Sequence, residues 1–222
     1  MNFGTIQVAD IFVGALNATE AYFGTEKIWE KSEPPANPWL CFTAEEANST
    51  VAMAANGSAP AVSLEYSTDG STWSPFVVGT TTVTLANIGD KVYVRATSVG
   101  NPWMGISTSN YNKFVMTGKI AASGNVDTLL DQNGNATLAS YCYNYLFYGC
   151  TSLTTAPALP ATTLADHCYE SMFNGCTSLT TAAALPATTL AGSCYRNMFY
   201  GCSSLTTAPE LPATTLADNC YQ

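Results

Sequence analysis

Positive charge is scarce in this chain of 222 residues. Seven lysines and arginines stand against 16 aspartates and glutamates, which gives a formal net charge of -9. A protein that is attracted to a phosphate backbone or an anionic membrane needs a basic patch. The composition therefore argues against nucleic acid as a partner.

The residues and motifs of common catalytic sites are missing too. There is a single histidine, His167, and no GxSxG, HExxH or glycine-rich phosphate loop. The adjacent Glu45 and Glu46 would point to opposite faces of a strand, which disfavours a glycosidase pair. We therefore expect no enzyme and no cofactor.

Metal sites are equally unsupported. Asp131, Asn133 and Asn135 have the oxygen spacing of a calcium loop, but position 12 of that loop is Cys142 instead of glutamate. This favours a simple turn. No CxxC pair is present for zinc, so we expect no metal.

The N-terminus also lacks the features of an export signal. It has no basic region, and Asp10 interrupts its apolar residues before they reach the length of a signal peptide or a membrane span. If Met1 is the natural start, this predicts a protein that is kept in a cytosol and does not insert into a membrane.

What the chain does have is a repeat. Three near-copies of one 26-residue unit occupy residues 142–167, 168–193 and 194–219, and a fourth begins at Cys220. Such a period is typical of a solenoid, in which each unit buries its apolar face against its neighbours. We expect Met198, Leu205, Leu211 and Leu216 to be open to water, so that further repeats or another chain would cover them.

Each unit divides into two halves. Cys168, Tyr169, Met172, Phe173 and Cys176 fall at helical spacing, which predicts a helix of about two turns with polar positions opposite. The second half is rich in threonine and proline and predicts extended chain and turns, with Leu153, Leu159 and Leu164 pointing inward. Seven of the eight cysteines are repeat positions, and we interpret them as buried thiols.

This alternation, with its Phe-x-Gly-Cys-Ser/Thr-Ser-Leu-Thr stretch, resembles the leucine-rich repeat of the BspA type, a class found on bacterial surfaces. The resemblance implies an α/β solenoid over 142–222. Residues 121–141 would form a connector and a degenerate half-repeat that caps the stack.

The first 31 residues are apolar and rich in glycine turns, but they are too few to enclose a core. They predict a small β-hairpin segment that docks onto a partner or, alternatively, packs on the next domain. The stretch DIFVGALNATEAYFGTEKIWE resembles the N-terminal segment of bacteriophage tail and fibre proteins. That resemblance implies a phage of gut Bacteroides-type bacteria, with attachment to other virion proteins through Phe3, Ile11, Phe12, Tyr22, Phe23 and Trp29.

Between these parts, residues 32–38 form a proline-rich linker. Residues 39–120 contain short apolar stretches separated by turns such as Asp69-Gly70, which predicts an immunoglobulin-like β-sandwich. The chain is thus expected to be multidomain and mainly β.

Two functional hypotheses follow. The first is a bacteriophage virion protein, a tail or head fibre or appendage, whose repeats adhere to the host surface. The alternative is a bacterial BspA-like cell-surface adhesin, and a cytosolic interaction scaffold is a third option. In a solenoid, ligand contacts fall on positions that differ between copies, unless those positions have merely drifted on a solvated face. The candidates for contact with a host glycan or protein are Tyr145, Tyr148, Glu170, Arg196 and Tyr200. We also expect a homo-oligomer.

Overall fold

The computed structural model describes residues 20–23, 26–30, 39–98, 100 and 103–222. Residues 1–37 and 38–222 are separate compact units. In the first unit, β1 (Glu20–Phe23) pairs antiparallel with β2 (Glu26–Glu30). The linker at 32–38 lies outside the described residues.

The second unit begins with two mainly antiparallel sheets that pack face to face. The strands are β3 (Leu40–Ala44), β4 (Ser49–Asn56), β5 (Leu64–Ser67), β6 (Ser74–Phe76), β7 (Thr82–Leu85), β8 (Lys91–Ala96), β9 (Gly105–Ser107), β10 (Asn110–Thr117) and β11 (Ile120–Ser123). One sheet has the order β7-β4-β10-β9. The other has the order β12-β11-β3-β8-β5-β6, in which β12 (Leu153–Thr155) comes from the first repeat and runs parallel to β11.

Alternating burial explains why these segments form strands. In β4 every second side chain from Ser49 to Met53 is buried, and β8 alternates in the same way. The inward side chains meet between the sheets, where the rings of Phe42 and Phe114 lie 4.8 Å apart edge to face. The prediction of a mainly β protein is confirmed.

The predicted helix at the start of each repeat is wrong. Residues 140–149 form consecutive turns, and the described residues contain no helix other than the 3-10 helix Val126–Leu129. Every fourth residue has a left-handed backbone, with φ of 65° at Tyr141, 60° at Tyr145 and 72° at Gly149. A right-handed α-helix cannot contain such residues at regular intervals.

The backbone hydrogen bonds show why turns form instead. The N–H groups of Asn144, Leu146 and Tyr148 donate to carbonyl oxygens three residues earlier. The N–H groups between them, at residues 143, 145, 147 and 149, donate to carbonyl oxygens of the second repeat at 168, 170, 172 and 174. Alternate amides therefore join the layers, and the second repeat is bonded to the third in the same way.

The apolar positions of the repeat are nevertheless buried as expected. Cys168, Tyr169, Met172, Phe173 and Cys176 are all fully buried. The aromatic rings at these positions stack from one repeat to the next. Phe147, Phe173 and Phe199 lie nearly parallel, with ring centroids 5.3 and 5.7 Å apart.

The first repeat is covered by the sandwich. The N–H groups of Met104 and Phe114 donate to the carbonyl oxygens of Cys142 and Leu146 at 2.9 and 2.8 Å. The N–H groups of Ile120 and Val126 donate to the carbonyl oxygens of Ser152 and Ala158, further along the same repeat. Of these four donors, only Val126 belongs to segment 121–141, which was expected to cap the stack. The other three lie in or next to strands of the two sheets.

Candidate functional site

An aromatic cluster lies where the sandwich meets the first repeat. Tyr111 of β10 stacks on Tyr145, with ring centroids 4.7 Å apart, and Tyr148 packs edge to face on Tyr145 at 5.3 Å. The ammonium group of Lys113, two residues along β10 from Tyr111, lies 5.2 Å from the centre of the Tyr148 ring. Two of the predicted ligand positions, Tyr145 and Tyr148, therefore belong to one cluster.

Tyr148 also begins a column of equivalent residues along the stack. The N–H of Gly149 donates to the carbonyl oxygen of Asn174 at 2.8 Å, and Gly175 donates to Tyr200 in the same way. These bonds place Tyr148, Asn174 and Tyr200 in successive layers. Tyr148 and Tyr200 are 38% and 71% exposed, as a binding surface requires.

The prediction that the polar position 144/170/196 lies on a solvated outer face is wrong for its first two members. Asn144 is fully buried and Glu170 is 3% exposed. Asn144 donates from Nδ2 to the carbonyl oxygen of Ser107 at 2.8 Å, which ties the repeat to β9. A ligand cannot reach Glu170 without rearrangement of the layers.

Glu170 instead contacts a side chain of each neighbouring repeat. Its Oε2 lies 2.8 Å from Nδ1 of His167, and its Oε1 lies 3.5 Å from the Arg196 guanidinium. Arg196 also donates from Nε to the side chain of Gln222 at 3.0 Å. A buried carboxylate is tolerable when it is paired in this way, so Glu170 and Arg196 act within the stack.

The sequence analysis missed a buried carboxylate at the start of the tyrosine ladder. Asp127 is 3% exposed, and burial raises the pKa of its carboxyl group to about 6. The Tyr143 hydroxyl donates to it at 3.1 Å. The rings of Tyr143, Tyr169, Tyr195 and Tyr221 then stack along the repeats. The recurring Cys-Tyr pair was the available signal for this ladder.

A second cluster that the sequence analysis missed lies on β5 and β8 and on the residues that precede β3 and β6. The Arg95 guanidinium lies 3.6 Å from the centre of the Trp73 ring and 4.6 Å from that of Trp39. It also donates to Glu65 at 2.8 Å. Because the Arg95 guanidinium is stacked on two aromatic rings and also paired with a carboxylate, this cluster stabilises the outer side of the sheet.

All eight cysteines are buried free thiols. Sγ of Cys150, Cys176 and Cys202 donates to the carbonyl oxygens of Phe114, Phe147 and Phe173 at 3.1 to 3.2 Å. Burial raises the pKa of Cys150 to about 12, so its thiol is protonated at neutral pH. These groups join neighbouring layers and are poor nucleophiles.

The remaining predicted sites give less information. Phe3, Ile11 and Phe12 lie outside the described residues, as do the side chains of Tyr22, Phe23 and Trp29, whose backbones belong to β1 and β2. Asp131 Oδ1 accepts from the N–H of Asn133 at 2.9 Å, which forms a local turn. Within the described part of the chain, no three His, Cys, Asp or Glu side chains cluster as metal ligands would.

The third repeat exposes apolar side chains that the earlier repeats bury. Leu211 and Leu216 are 54% and 64% exposed, whereas the equivalents of Leu211, Leu159 and Leu185, are 3% and 4% exposed. Met198 is buried and Leu205 is half-buried, so the predicted opening to water holds for only part of this surface.

None of the described segments is a helix with the length and apolar character needed to cross a membrane. No family model matches the chain, and no curated protein or solved structure matches it either.

Proposed function

We propose that this protein is a bacteriophage virion component, a tail or head fibre or appendage, that docks through residues 1–31 and presents its repeats to the host surface. The observation that carries the proposal is the continuous hydrogen bonding from the sandwich through all three repeats. Such continuity favours a stiff element that holds a binding surface at a distance from its attachment point.

We infer further that the two packed sheets are an immunoglobulin-like sandwich and that the repeats are a leucine-rich-repeat solenoid of the BspA type. The in-register layers support this assignment, together with the buried leucines Leu153, Leu159, Leu179 and Leu185. The parallel bridges Thr155 to Thr181 and Thr189 to Thr215 are also consistent with stacked extended segments.

Self-association belongs to the same proposal. Leu211 and Leu216 together offer an apolar surface of the kind that mediates protein contacts. In sedimentation experiments we expect a concentration-dependent oligomer that is weakened when both leucines are replaced by glutamate. A monomer at all concentrations would contradict the proposed homo-oligomer.

The virion role is tested on particles purified from the host that carries the gene. We expect the full-length chain in the particles at a fixed ratio to the capsid protein. A triple variant, Tyr22→Ala, Phe23→Ala and Trp29→Ala, should lose incorporation while remaining folded. A matched variant, Tyr148→Ala and Tyr200→Ala, should be incorporated normally but attach poorly to cells.

The location of the protein distinguishes the alternatives. Recovery from the surface of bacteria that carry no phage particles would favour the BspA-like adhesin. Recovery only from the cytosol, with no particle-bound protein, would contradict both and favour an interaction scaffold.

A further inference from the structure

We propose that the column of Tyr148, Asn174 and Tyr200, with Lys113 at its first layer, binds a linear acidic polysaccharide. This inference rests on the proposed adhesive function and names the chemical class of the ligand. Four features of the surface lead to it: its spacing, its shape, its hydrogen-bonding groups and its charge.

The spacing follows from the layers. The phenylalanine rings of successive repeats are 5.3 and 5.7 Å apart, so equivalent surface residues recur at a similar interval. One hexopyranose unit in an extended polysaccharide has a comparable length. Tyr148 and Tyr200 are two layers apart and can therefore contact alternate sugar units of one chain, with Asn174 at the unit between them.

The shape of the surface is set by the glycines of the repeats. Beside the column runs a strip of glycines, Gly149, Gly175 and Gly201, whose φ values of 72° to 77° require a left-handed backbone. A methyl group added at Gly149 would meet no atom within 4 Å, so the space above it is open. The strip has no side chains, so a flat ligand can approach the tyrosine rings along it.

The side chains of the column match the two kinds of surface on a sugar, its apolar C–H groups and its hydroxyl groups. The ring of an exposed tyrosine packs against the C–H groups of a pyranose, and its hydroxyl forms hydrogen bonds. The side-chain amide of Asn174 forms no hydrogen bond with any other described residue, so both its donor and its acceptor are available. Two residues after each glycine, Thr151, Thr177 and Ser203 are also exposed.

The charge selects an acidic ligand. Within the described residues, the ion pairs of lysine and arginine involve Arg95, Lys119 and Arg196, and none involves Lys113. An ammonium group without a carboxylate partner among these residues therefore lies beside Tyr148, although the chain as a whole has a net charge of -9. It is placed to pair with a carboxylate or sulfate on a sugar that stacks on that ring.

The experiment measures binding of the full-length protein to polygalacturonate, alginate, hyaluronan and chondroitin sulfate. Methyl-esterified polygalacturonate is the matched neutral polymer, because it has the same backbone without the charge. We expect at least one acidic polymer to bind. The esterified polymer should bind about tenfold more weakly than its acidic counterpart if that counterpart is the one bound.

Three variants test the residues themselves. Lys113→Gln should remove the preference for charged over neutral polymer. Tyr148→Ala combined with Tyr200→Ala should weaken binding by about tenfold or more. Lys91→Gln changes an exposed lysine of β8 that also has no ion pair, and it should bind like the unmodified protein. Unchanged thermal unfolding of each variant checks that the fold is intact.

Binding to none of the acidic polymers would overturn the inference, as would equal binding to charged and neutral polymers or an unaffected Lys113→Gln variant. If the two tyrosines are required for cell attachment while no polymer binds, the ligand is a protein and the inference is wrong. The inference and the virion role fail separately, since polymer binding without incorporation into particles would contradict only the latter.

Discussion

The Phe114 ring of strand β10 stacks on the Phe147 ring of the first repeat, with centroids 5.2 Å apart and planes inclined by 13°. Both rings are almost completely buried. This contact joins the interior of the sandwich to the interior of the stack, so residues 39–98 and 103–222 share one hydrophobic core. The stability of one part should therefore depend on the other.

Replacing Phe147 with alanine tests that dependence. We expect the free energy of unfolding to fall by about 3–5 kcal/mol, as for other buried phenylalanines. Hydrogen exchange should show lost protection in β4 and β10 as well as in the repeats. Val115→Ala, on the exposed side of β10, should change stability by less than about 0.5 kcal/mol. Loss of protection confined to the repeats would mean that the two parts unfold independently.

Asp127 predicts an unusual dependence of stability on pH. Its pKa is about 6 in the folded protein against 3.8 for the unperturbed group, because burial disfavours the charged form. The folded state therefore binds a proton more readily than the unfolded state, and the carboxyl group's contribution to stability increases as the pH falls from about 6 to about 4.

Asp127→Asn isolates this contribution, because the amide oxygen can still accept from the Tyr143 hydroxyl. At pH 7.5 the variant should be more stable than the unmodified protein by up to about 3 kcal/mol. Near pH 3.5 the difference should disappear. Chemical unfolding at a series of pH values measures both quantities, and a difference that does not vary with pH would contradict the assigned cause.

The buried thiols should be unreactive in the folded protein. Burial raises the pKa of Cys142 and Cys150 to about 12, so almost no thiolate is present at pH 8. Mass spectrometry after iodoacetamide treatment should show no label before unfolding and eight labels in urea. An S203C variant, at an exposed position, should gain one label at once and serves as the control. A reductant should leave the melting temperature unchanged.

Asn197 distinguishes the observed turns from a helix. Its φ of 52° is left-handed, a conformation that asparagine and glycine adopt more easily than alanine. We expect Asn197→Ala to lower the free energy of unfolding by about 1 kcal/mol and Asn197→Gly to be nearly neutral. In a helix the order would be reversed, because alanine is favoured over glycine by about 1 kcal/mol. Urea unfolding of both variants decides between the two.

The sequence alone determined which apolar residues of each repeat are buried. A 26-residue period requires equivalent environments for equivalent residues, so Cys168, Tyr169 and Phe173 are buried like their counterparts. The alternation in β4 and β8 likewise predicted strands, because period-two burial occurs in no helix. Variation between the repeats was a poorer guide to exposure, because Tyr148 and Tyr200 are exposed whereas Asn144 and Glu170 are buried.

The conformation of the repeat's first half was decided only by the tertiary structure. Apolar residues at i, i+1, i+4, i+5 and i+8 suit both a short helix and turns of period four. The choice depends on where alternate N–H groups find acceptors, and here those acceptors are carbonyl oxygens one repeat away. Contacts between residues distant in sequence also determine the burial of Glu170 and Asn144, the raised pKa of Asp127 and the stacking of Phe114 on Phe147. Local pattern cannot specify such contacts, because they form only when whole layers are brought into register.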